Sequence, residues 1–196
     1  MDSIMNDAHN FTDPLACDVY RVNGIYSRKL ARPLACTNRA FRPIYTLRWY
    51  QSASGIAKKI ARRAHIMACQ RAGLDMPEMV EIGAGLAIQH GWGVVINARA
   101  KLGRNVTLLH GVTIGGGSKI NEDGGRETGY PVIEDGVTIG PNASIVGGIT
   151  IGEGARILPG AVIFFDVPPH ALVGGNPGKI LKQDVPEDIW NKVPFR

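Results

Sequence analysis

Isoleucine and leucine residues recur at every sixth position through much of the chain. The step is six from Ile96 to Ile114 and again from Ile133 to Ile163, and small or β-branched residues stand two positions before most of these aliphatics. A helix has a period of 3.6 residues and a strand a period of two, so neither explains a step of six. The pattern predicts a three-sided solenoid with about 18 residues per coil and one inward aliphatic side chain on each side.

The six-residue step fails at two places. Within residues 88–97, IQHGWGVVIN, it lengthens to eight, and the two extra positions directly follow His90. Residues 116–131, GGSKINEDGGRETGYP, are polar and glycine-rich, which predicts a loop that projects from the coil. Functional residues are expected where a regular pattern breaks and on loops that a rigid scaffold holds in place.

The N-terminal segment changes to a helical pattern. Asp13 followed by Pro14 predicts a helix start, with Asp as the N-cap and Pro at the first helical position. Two further helices are predicted over residues 38–51 and 54–72. The last of these has apolar residues at helical spacing and basic residues crowding the other side. The two sets are Ile56, Ile60, Ala64, Met67 and Ala68, and Lys58, Lys59, Arg62 and Arg63.

These patterns divide the chain into three parts: a basic α-helical segment over residues 1–75, a β-helix over residues 76–182 with its loop at 116–131, and a tail over residues 183–196. The fold class is mainly β, a three-sided solenoid of six-residue repeats with an N-terminal helical cap. Each coil buries its faces only against its neighbours, so the helices and the tail are expected to cap the ends.

Charge and cysteine usage limit the cellular setting. Residues 1–75 hold 12 Lys and Arg against 5 Asp and Glu, so their net charge of +7 exceeds the +5 of the whole chain. This basic surface is either a solvated cap or a face that lies near anionic lipid head groups or a negative acceptor. Three cysteines without paired spacing favour a reducing cytoplasm, and the first residues do not resemble a secretory signal. We expect a cytoplasmic protein, with peripheral membrane contact open and no nucleic-acid partner.

Two histidines occupy equivalent positions on successive coils. His90 follows Ile88 by two residues, and His110 follows Leu108 by two residues. Their separation is one coil plus the two inserted residues, so the pair is predicted to stack on one side at roughly one strand spacing, about 4.8 Å.

Residues 75–182 resemble the left-handed parallel β-helix acyltransferases of the serine acetyltransferase-like branch. Within that branch they look most like the O-acetyltransferases of bacterial capsule and exopolysaccharide loci. The motifs that carry the resemblance are IGAGLAIQHGWGVVIN at 82–97, VTIGGG at 112–117, VTIGPNASIVGGITIGEGARILPGAVIFFDVPP at 137–169 and GNPGKI at 175–180.

The resemblance implies acetyl transfer from acetyl-CoA to a hydroxyl, without a metal, in a homotrimer whose sites lie between subunits. His90 matches the family's base, with His110 as a possible auxiliary group, and Asp75 matches the aspartate that orients the base fifteen residues later. Asp75 is alternatively a turn residue before the solenoid. For acetyl-CoA, the positions that match are Gly115, Gly116, Pro141, Arg156 and Pro159 along the pantetheine arm and oxyanion, and Lys179 and Lys182 at phosphate. The two lysines are alternatively ordinary surface charges.

Two departures from the serine acetyltransferases concern the acceptor. Gln89 stands where that family has an aspartate, and Tyr130 stands where it has a second histidine. We therefore expect a sugar hydroxyl of a surface polysaccharide as acceptor. Trp92 would stack on the sugar, with Asn121, Arg126, Glu127 and Tyr130 as polar contacts. L-serine is the alternative acceptor, and packing between subunits is the alternative role of Trp92.

Two other classes of protein share the solenoid. A γ-class carbonic anhydrase needs three imidazoles that converge on zinc, and no third histidine has suitable spacing beside His90 and His110. A non-catalytic scaffold gives no reason for the insertion, the loop and Asp75 to coincide. Both remain less favoured alternatives to an acyltransferase.

Overall fold

The computed structural model describes residues 11–120 and 123–195. Its N-terminal part is helical, with a short 3-10 turn at Arg28–Leu30. The helices are α1 (Pro14–Asn23), α2 (Ala31–Thr37), α3 (Phe41–Ser52) and α4 (Gly55–Ala72). Helix α2 was not predicted from the sequence; it carries a proline in its first turn, where the missing N–H is tolerated.

The start of α1 confirms the predicted cap. The Asp13 side chain accepts a hydrogen bond from the backbone N–H of Leu15 at 3.1 Å, and Pro14 is the first helical residue. Gly24 ends the helix in the left-handed conformation, with φ of 75°.

The rest of the chain winds into coils whose short strands stack in three parallel sheets. Sheet I contains β1 (Glu81–Ile82), β4 (Lys101–Leu102), β9 (Val132–Ile133) and β12 (Thr150–Ile151). Sheet II contains β2 (Ala87–Ile88), β5 (Thr107–Leu108), β10 (Thr138–Ile139), β13 (Arg156–Ile157) and β15 (Leu172–Gly174). Sheet III contains β3 (Val95–Ile96), β6 (Thr113–Gly115), β11 (Ser144–Val146) and β14 (Val162–Ile163).

The predicted inward residues form the core of this prism. Ile88 pairs in register with Leu108, and Leu108 with Ile139, so like positions stack from coil to coil. All twelve aliphatics of the repeat are buried, which confirms the prediction. They are Ile82, Ile88, Ile96, Leu102, Leu108, Ile114, Ile133, Ile139, Ile145, Ile151, Ile157 and Ile163.

The stretch 116–131 leaves the coil, as predicted, but it is more ordered than a loop. β7 (Gly117–Ile120) and β8 (Arg126–Gly129) pair antiparallel as a hairpin between β6 and β9. Side-chain pairing supports it, because the hydroxyls of Ser118 and Thr128 lie 3.0 Å apart across the two strands. Apolar and polar residues do not alternate clearly along its sequence, so the two strands and their pairing were not predicted.

A polar network docks the helices on the first coil. The Asp18 carboxylate, which is fully buried, accepts hydrogen bonds from Arg48 and from the backbone N–H groups of Gly85 and Leu86, both at 2.9 Å. Arg48 also donates to the carbonyl of Ile82 at 2.9 Å. Burial raises the pKa of the Asp18 carboxyl even though Arg48 opposes that shift. The Asp18 carboxylate and the Arg48 guanidinium compensate each other, as burial of charge requires.

Helix α4 does not bury the side on which its large apolar side chains lie. The side that packs towards the protein carries Ala61, His65, Ala68 and Ala72, whereas Ile56 is 78% exposed. Small side chains let α4 approach α3 closely, so the large aliphatic residues are left on the outside. The predicted separation into an apolar and a basic side is also wrong in part, because basic residues lie beside the exposed aliphatics.

The tail returns along the prism edge between sheets I and II. It begins with β16 (Lys179–Lys182), which pairs antiparallel to β15. The N–H of Val185 then bonds the carbonyl of His170 at the C-terminal coils, and Val193 is buried beside Asn105 near the first coils. Within the described residues, no helix is long and apolar enough to cross a membrane.

Candidate active site

The predicted site residues lie on two different edges of the prism. The edge between sheets II and III, which we call the His90 edge, carries Gln89, His90, His110, Pro141 and Pro159 at the ends of sheet II strands. The edge between sheets III and I, which we call the Tyr130 edge, carries Gly116, the hairpin and Tyr130. Sheet III lies between the two edges, so a single chain does not bring the two groups together.

The turn after β2 presents His90 to solvent. His90 adopts a left-handed backbone with φ of 64°, and Gly91 and Gly93 also have positive φ. A non-glycine residue in this conformation is uncommon and is held only when its surroundings require it. The two inserted residues therefore produce a tight outward turn in place of a regular corner.

His90 and His110 stack on adjacent coils, as their spacing predicts. Their ring centroids are 6.1 Å apart with an interplanar angle of 78°. The Nδ1 atom of His110 is buried and has no hydrogen-bond partner among the described residues. Whether His110 takes part in chemistry stays a prediction.

Arg39, which stands just before α3, clamps this turn. Its Nη2 donates to the carbonyl of His90 at 2.8 Å, and its Nη1 donates to the carbonyl of Ala72 at 3.1 Å. Its guanidinium lies 3.3 Å from the centroid of the Trp92 ring, a cation–π contact. A Cβ on Gly73 would be 2.7 Å from the same ring, so only glycine fits there.

Asp75 lies on the segment next to the His90 turn. Its N–H bonds the carbonyl of Val94, and its carbonyl accepts from Ile96, both at 2.8 Å, so the backbone of Asp75 extends sheet III. Among the described residues, the structure contains no hydrogen bond between the Asp75 carboxylate and the His90 imidazole. The orienting role of Asp75 therefore stays a prediction.

A cavity of about 520 Å³ opens beside His90. The cap, the first coil and the tail all contribute to its wall. Its lining residues are Arg21, Val22, Asn38, Arg39, Ala40, Ala87, Ile88, Gln89, His90, Trp92 and Trp190. Arg21 is 3% exposed and donates from Nη2 to the Thr107 hydroxyl at 2.6 Å, and burial lowers its pKa to about 10. The cavity thus combines an exposed imidazole, a neutral amide and cationic groups.

On the Tyr130 edge, Tyr130 is held by Arg99. The Arg99 Nη1 donates to the tyrosine hydroxyl at 3.1 Å, and its guanidinium lies 5.2 Å from the ring centroid. The ring also packs against Gly116, because a Cβ there would be 3.0 Å from it. Gly115 belongs to β6, where its carbonyl accepts from Gly147.

The remaining predicted residues are dispersed. Arg126 is exposed on β8, while Asn121 lies outside the described residues. Arg156 makes an ion pair with Asp188 of the tail at 2.8 Å, so its charge is already partnered. Lys179 and Lys182 are exposed on β16.

Sequence reasoning missed Arg39, Arg21 and Trp190. Each reaches the cavity through a contact between segments that are far apart in the chain, and each looks like an ordinary basic or tail residue in the sequence. Within the described residues, no group of three or more His, Cys, Asp or Glu side chains is placed to hold a metal ion.

Comparisons with known proteins identify the chain. Residues 130–164 match the family model of the bacterial transferase hexapeptide, six repeats. A serine acetyltransferase of Neisseria gonorrhoeae, solved in complex with serine, superposes with a TM-score of 0.65 and 32% identity over 86% of this chain and 68% of its own. The chain belongs to the hexapeptide-repeat transferase family.

Serine acetyltransferases are its homologues within that family. Serine acetyltransferase 2 of Arabidopsis thaliana is 41% identical over 112 residues, which are 56% of this chain and 32% of the plant protein. The enzyme of Mycobacterium tuberculosis is 38% identical over 138 residues, 70% of this chain and 56% of its own. The chain thus spans about a third to just over half of these curated relatives. The predicted fold class, a left-handed parallel β-helix with an N-terminal helical cap, is confirmed.

The predicted polysaccharide acceptor is wrong, and the predicted closeness to capsule and exopolysaccharide enzymes is not supported. The homologues are serine acetyltransferases, one of them solved with serine bound. The absence of charge on Gln89 does not exclude an amino-acid acceptor, because a primary amide oxygen accepts a hydrogen bond from an ammonium group. The structure also weakens the predicted stacking of a sugar on Trp92, because the Arg39 guanidinium covers one face of that ring.

Proposed function

We propose that this hexapeptide-repeat transferase moves the acetyl group of acetyl-CoA to the hydroxyl of L-serine. The observation that carries the proposal is His90 at a cavity with polar and cationic walls, on a chain whose homologues are serine acetyltransferases. An amino-acid zwitterion needs partners for a carboxylate, an ammonium and a hydroxyl. The cavity wall offers arginines for the carboxylate, the Gln89 oxygen for the ammonium and His90 for the hydroxyl.

His90 supplies the base in this proposal. Its neutral imidazole takes the proton of the serine hydroxyl as the oxygen attacks the thioester carbonyl carbon. The tetrahedral intermediate collapses with cleavage of the C–S bond, and the imidazolium returns the proton to the sulfur of CoA. O-acetylserine and CoA leave, and the imidazole is neutral again.

Two further roles follow from position. Asp75 lies on the neighbouring segment and would hold the imidazole tautomer by accepting a hydrogen bond once substrates close the site. The N–H groups of Gly115, at the end of β6, and of Gly116, where the Tyr130 edge begins, would donate to the developing oxyanion. Pro141 and Pro159 continue the His90 edge towards the later coils, in line with a path for the pantetheine arm, and Lys179 and Lys182 would attract phosphate.

We propose a homotrimer as the unit that completes the site. The His90 edge and the Tyr130 edge flank sheet III of one chain, and the tail occupies the third edge. A threefold arrangement places the His90 edge of one subunit against the Tyr130 edge of the next. The base and the oxyanion donors then face the same cleft.

The proposal is tested by the product itself. Purified protein is incubated with acetyl-CoA and L-serine, CoA release is followed with a thiol reagent, and the amino-acid product is identified by mass spectrometry. We expect O-acetylserine at a kcat/KM of about 10⁴ M⁻¹s⁻¹ or more. Homoserine and D-serine, which displace the hydroxyl or the ammonium, serve as matched controls and should react much more slowly. An absence of acetylserine with intact, CoA-binding protein would refute the proposal.

A further inference from the structure

The outer side of α4 displays large apolar side chains to solvent. Ile56 is 78% exposed, Ile60 is 56% exposed and Met67 is 42% exposed. Together with Arg63 they occupy positions i, i+4, i+7 and i+11, which share one helix face. We call this set the α4 stripe.

The stripe lies nearly opposite the packed side of the helix. The buried residues Ala61, His65, Ala68 and Ala72 repeat the same spacing five residues later. Five residues at about 100° each turn the helix by about 140°, so the stripe points away from α3. None of its exposed aliphatics is needed to hold α4 on the protein.

Positive charge surrounds the stripe. α4 contains no acidic residue, and Lys59 and Arg63 lie on or beside the stripe. Arg62 is paired with Glu78, so it does not add an unpaired charge. The N-terminal segment as a whole carries a net charge of +7 over residues 1–75. Trp49, at the end of the adjoining α3, is 38% exposed.

We propose that the α4 stripe docks the protein on the surface of an anionic lipid bilayer. Apolar side chains of an interfacial helix enter the boundary between head groups and acyl chains, while neighbouring Lys and Arg remain at the level of lipid phosphates. The stripe has both parts, with Ile56, Ile60 and Met67 to insert and Lys59 and Arg63 to meet phosphate. This property goes beyond the proposed acetyl transfer and does not depend on it.

Charge also argues against a second copy of α4 as the occupant. Two copies of this helix would bring like charges together around the same stripe, with no carboxylate in either helix to neutralise them. An anionic bilayer instead attracts every exposed cation on this side.

The test is co-sedimentation of the full chain with vesicles of phosphatidylglycerol mixed with phosphatidylcholine, and with vesicles of phosphatidylcholine alone. We expect binding to the anionic vesicles only, weakened by added salt. Lys59→Glu/Arg63→Glu should lower the partition coefficient by about tenfold or more. Ile56→Ser/Ile60→Ser should also lower it without unfolding the protein, because both side chains are exposed.

Lys101→Glu/Lys192→Glu provides the control for total charge, because it makes the same change of net charge at two exposed, ion-paired lysines outside α4. It should retain most of the vesicle binding. The proposal fails if wild type does not bind anionic vesicles, or if this control loses as much binding as the α4 variant. It also fails if Ile56→Ser/Ile60→Ser alters particle mass in light scattering but leaves vesicle binding unchanged, which would assign the stripe to a second copy. Serine acetylation is measured in parallel, so that loss of activity and loss of docking are told apart.

Discussion

At the scale of single residues, the site depends on two features. The sequence pattern indicates the first, the His90 turn, but gives no sign of the second, the contacts of Arg39 with that turn. The change of step from six to eight located His90, and the repeat register placed it correctly beside His110. Arg39 could not be found in this way. Its contacts with His90 and Trp92 join a helical segment to a coil fifty-one residues away, and no local pattern encodes that distance.

Arg39→Ala should lower kcat by about tenfold to a hundredfold, because a small displacement of a catalytic group is costly. The backbone of His90 would lose its hydrogen bond, while the KM for acetyl-CoA should change little. Arg39→Lys keeps one donor and should restore part of kcat, although it loses the bidentate geometry. Steady-state kinetics of the three proteins checks this, and an unchanged kcat in Arg39→Ala would show that the clamp does not position His90.

At the scale of elements, the coil strands were predictable and the helical packing was not. A step of six specifies which residues are buried, because every coil packs against its neighbours through the same positions of the repeat. The orientation of α4 depends on α3, a long-range contact that favours small side chains over large ones. Its apolar periodicity therefore predicted a helix correctly but did not reveal which side it buries.

The buried pair between Asp18 and Arg48 should control the docking of the cap. Arg48→Met removes one charge and leaves the Asp18 carboxylate uncompensated, which typically costs about 3 to 5 kcal/mol. Urea unfolding at fixed protein concentration measures the loss. As a comparison, Arg28→Met removes an exposed ion pair with Asp13 and should cost less than about 1 kcal/mol. Equal losses in the two variants would contradict the docking role.

His65 should make the cap sensitive to acid. It is 1% exposed, its Nε2 donates to the carbonyl of Met76 at 2.7 Å, and burial lowers its pKa. Folding therefore favours the neutral ring. The stabilisation is present above the unfolded pKa of about 6.5 and is lost as the pH falls towards the lower folded value.

Melting temperatures measured from pH 8 to pH 5 should fall more steeply in wild type than in His65→Gln, which does not titrate. The additional slope from one group is at most about 1.4 kcal/mol per pH unit. If the melting temperatures of the two proteins fall equally with pH, His65 is not the cause of the acid sensitivity.

At the scale of the whole molecule, the proposed trimer would give each chain two halves of different sites. The tail fills one edge of the prism, and in the proposed trimer the His90 and Tyr130 edges would face neighbouring subunits. The sequence predicted both groups of residues, but it placed them in one cleft only through the family resemblance. The acceptor was mispredicted because two departures from the serine acetyltransferases, Gln89 and Tyr130, were given more weight than the rest of the chain.

Light scattering coupled to an activity assay should give a mass near three times that of the 21.1 kDa chain for the active species. A monomer would leave His90 without the oxyanion donors of the Tyr130 edge. An active monomer would contradict the shared site.

The central claim is that His90 activates the serine hydroxyl for attack on acetyl-CoA. The most direct measurement is the rate of CoA release from acetyl-CoA and L-serine by wild type and by His90→Ala, with acetyl-CoA affinity measured separately by calorimetry. We predict that kcat falls by about 10² to 10⁴, the usual contribution of a general base, while the affinity for acetyl-CoA is unchanged. Turnover near the wild-type rate in His90→Ala would contradict the account.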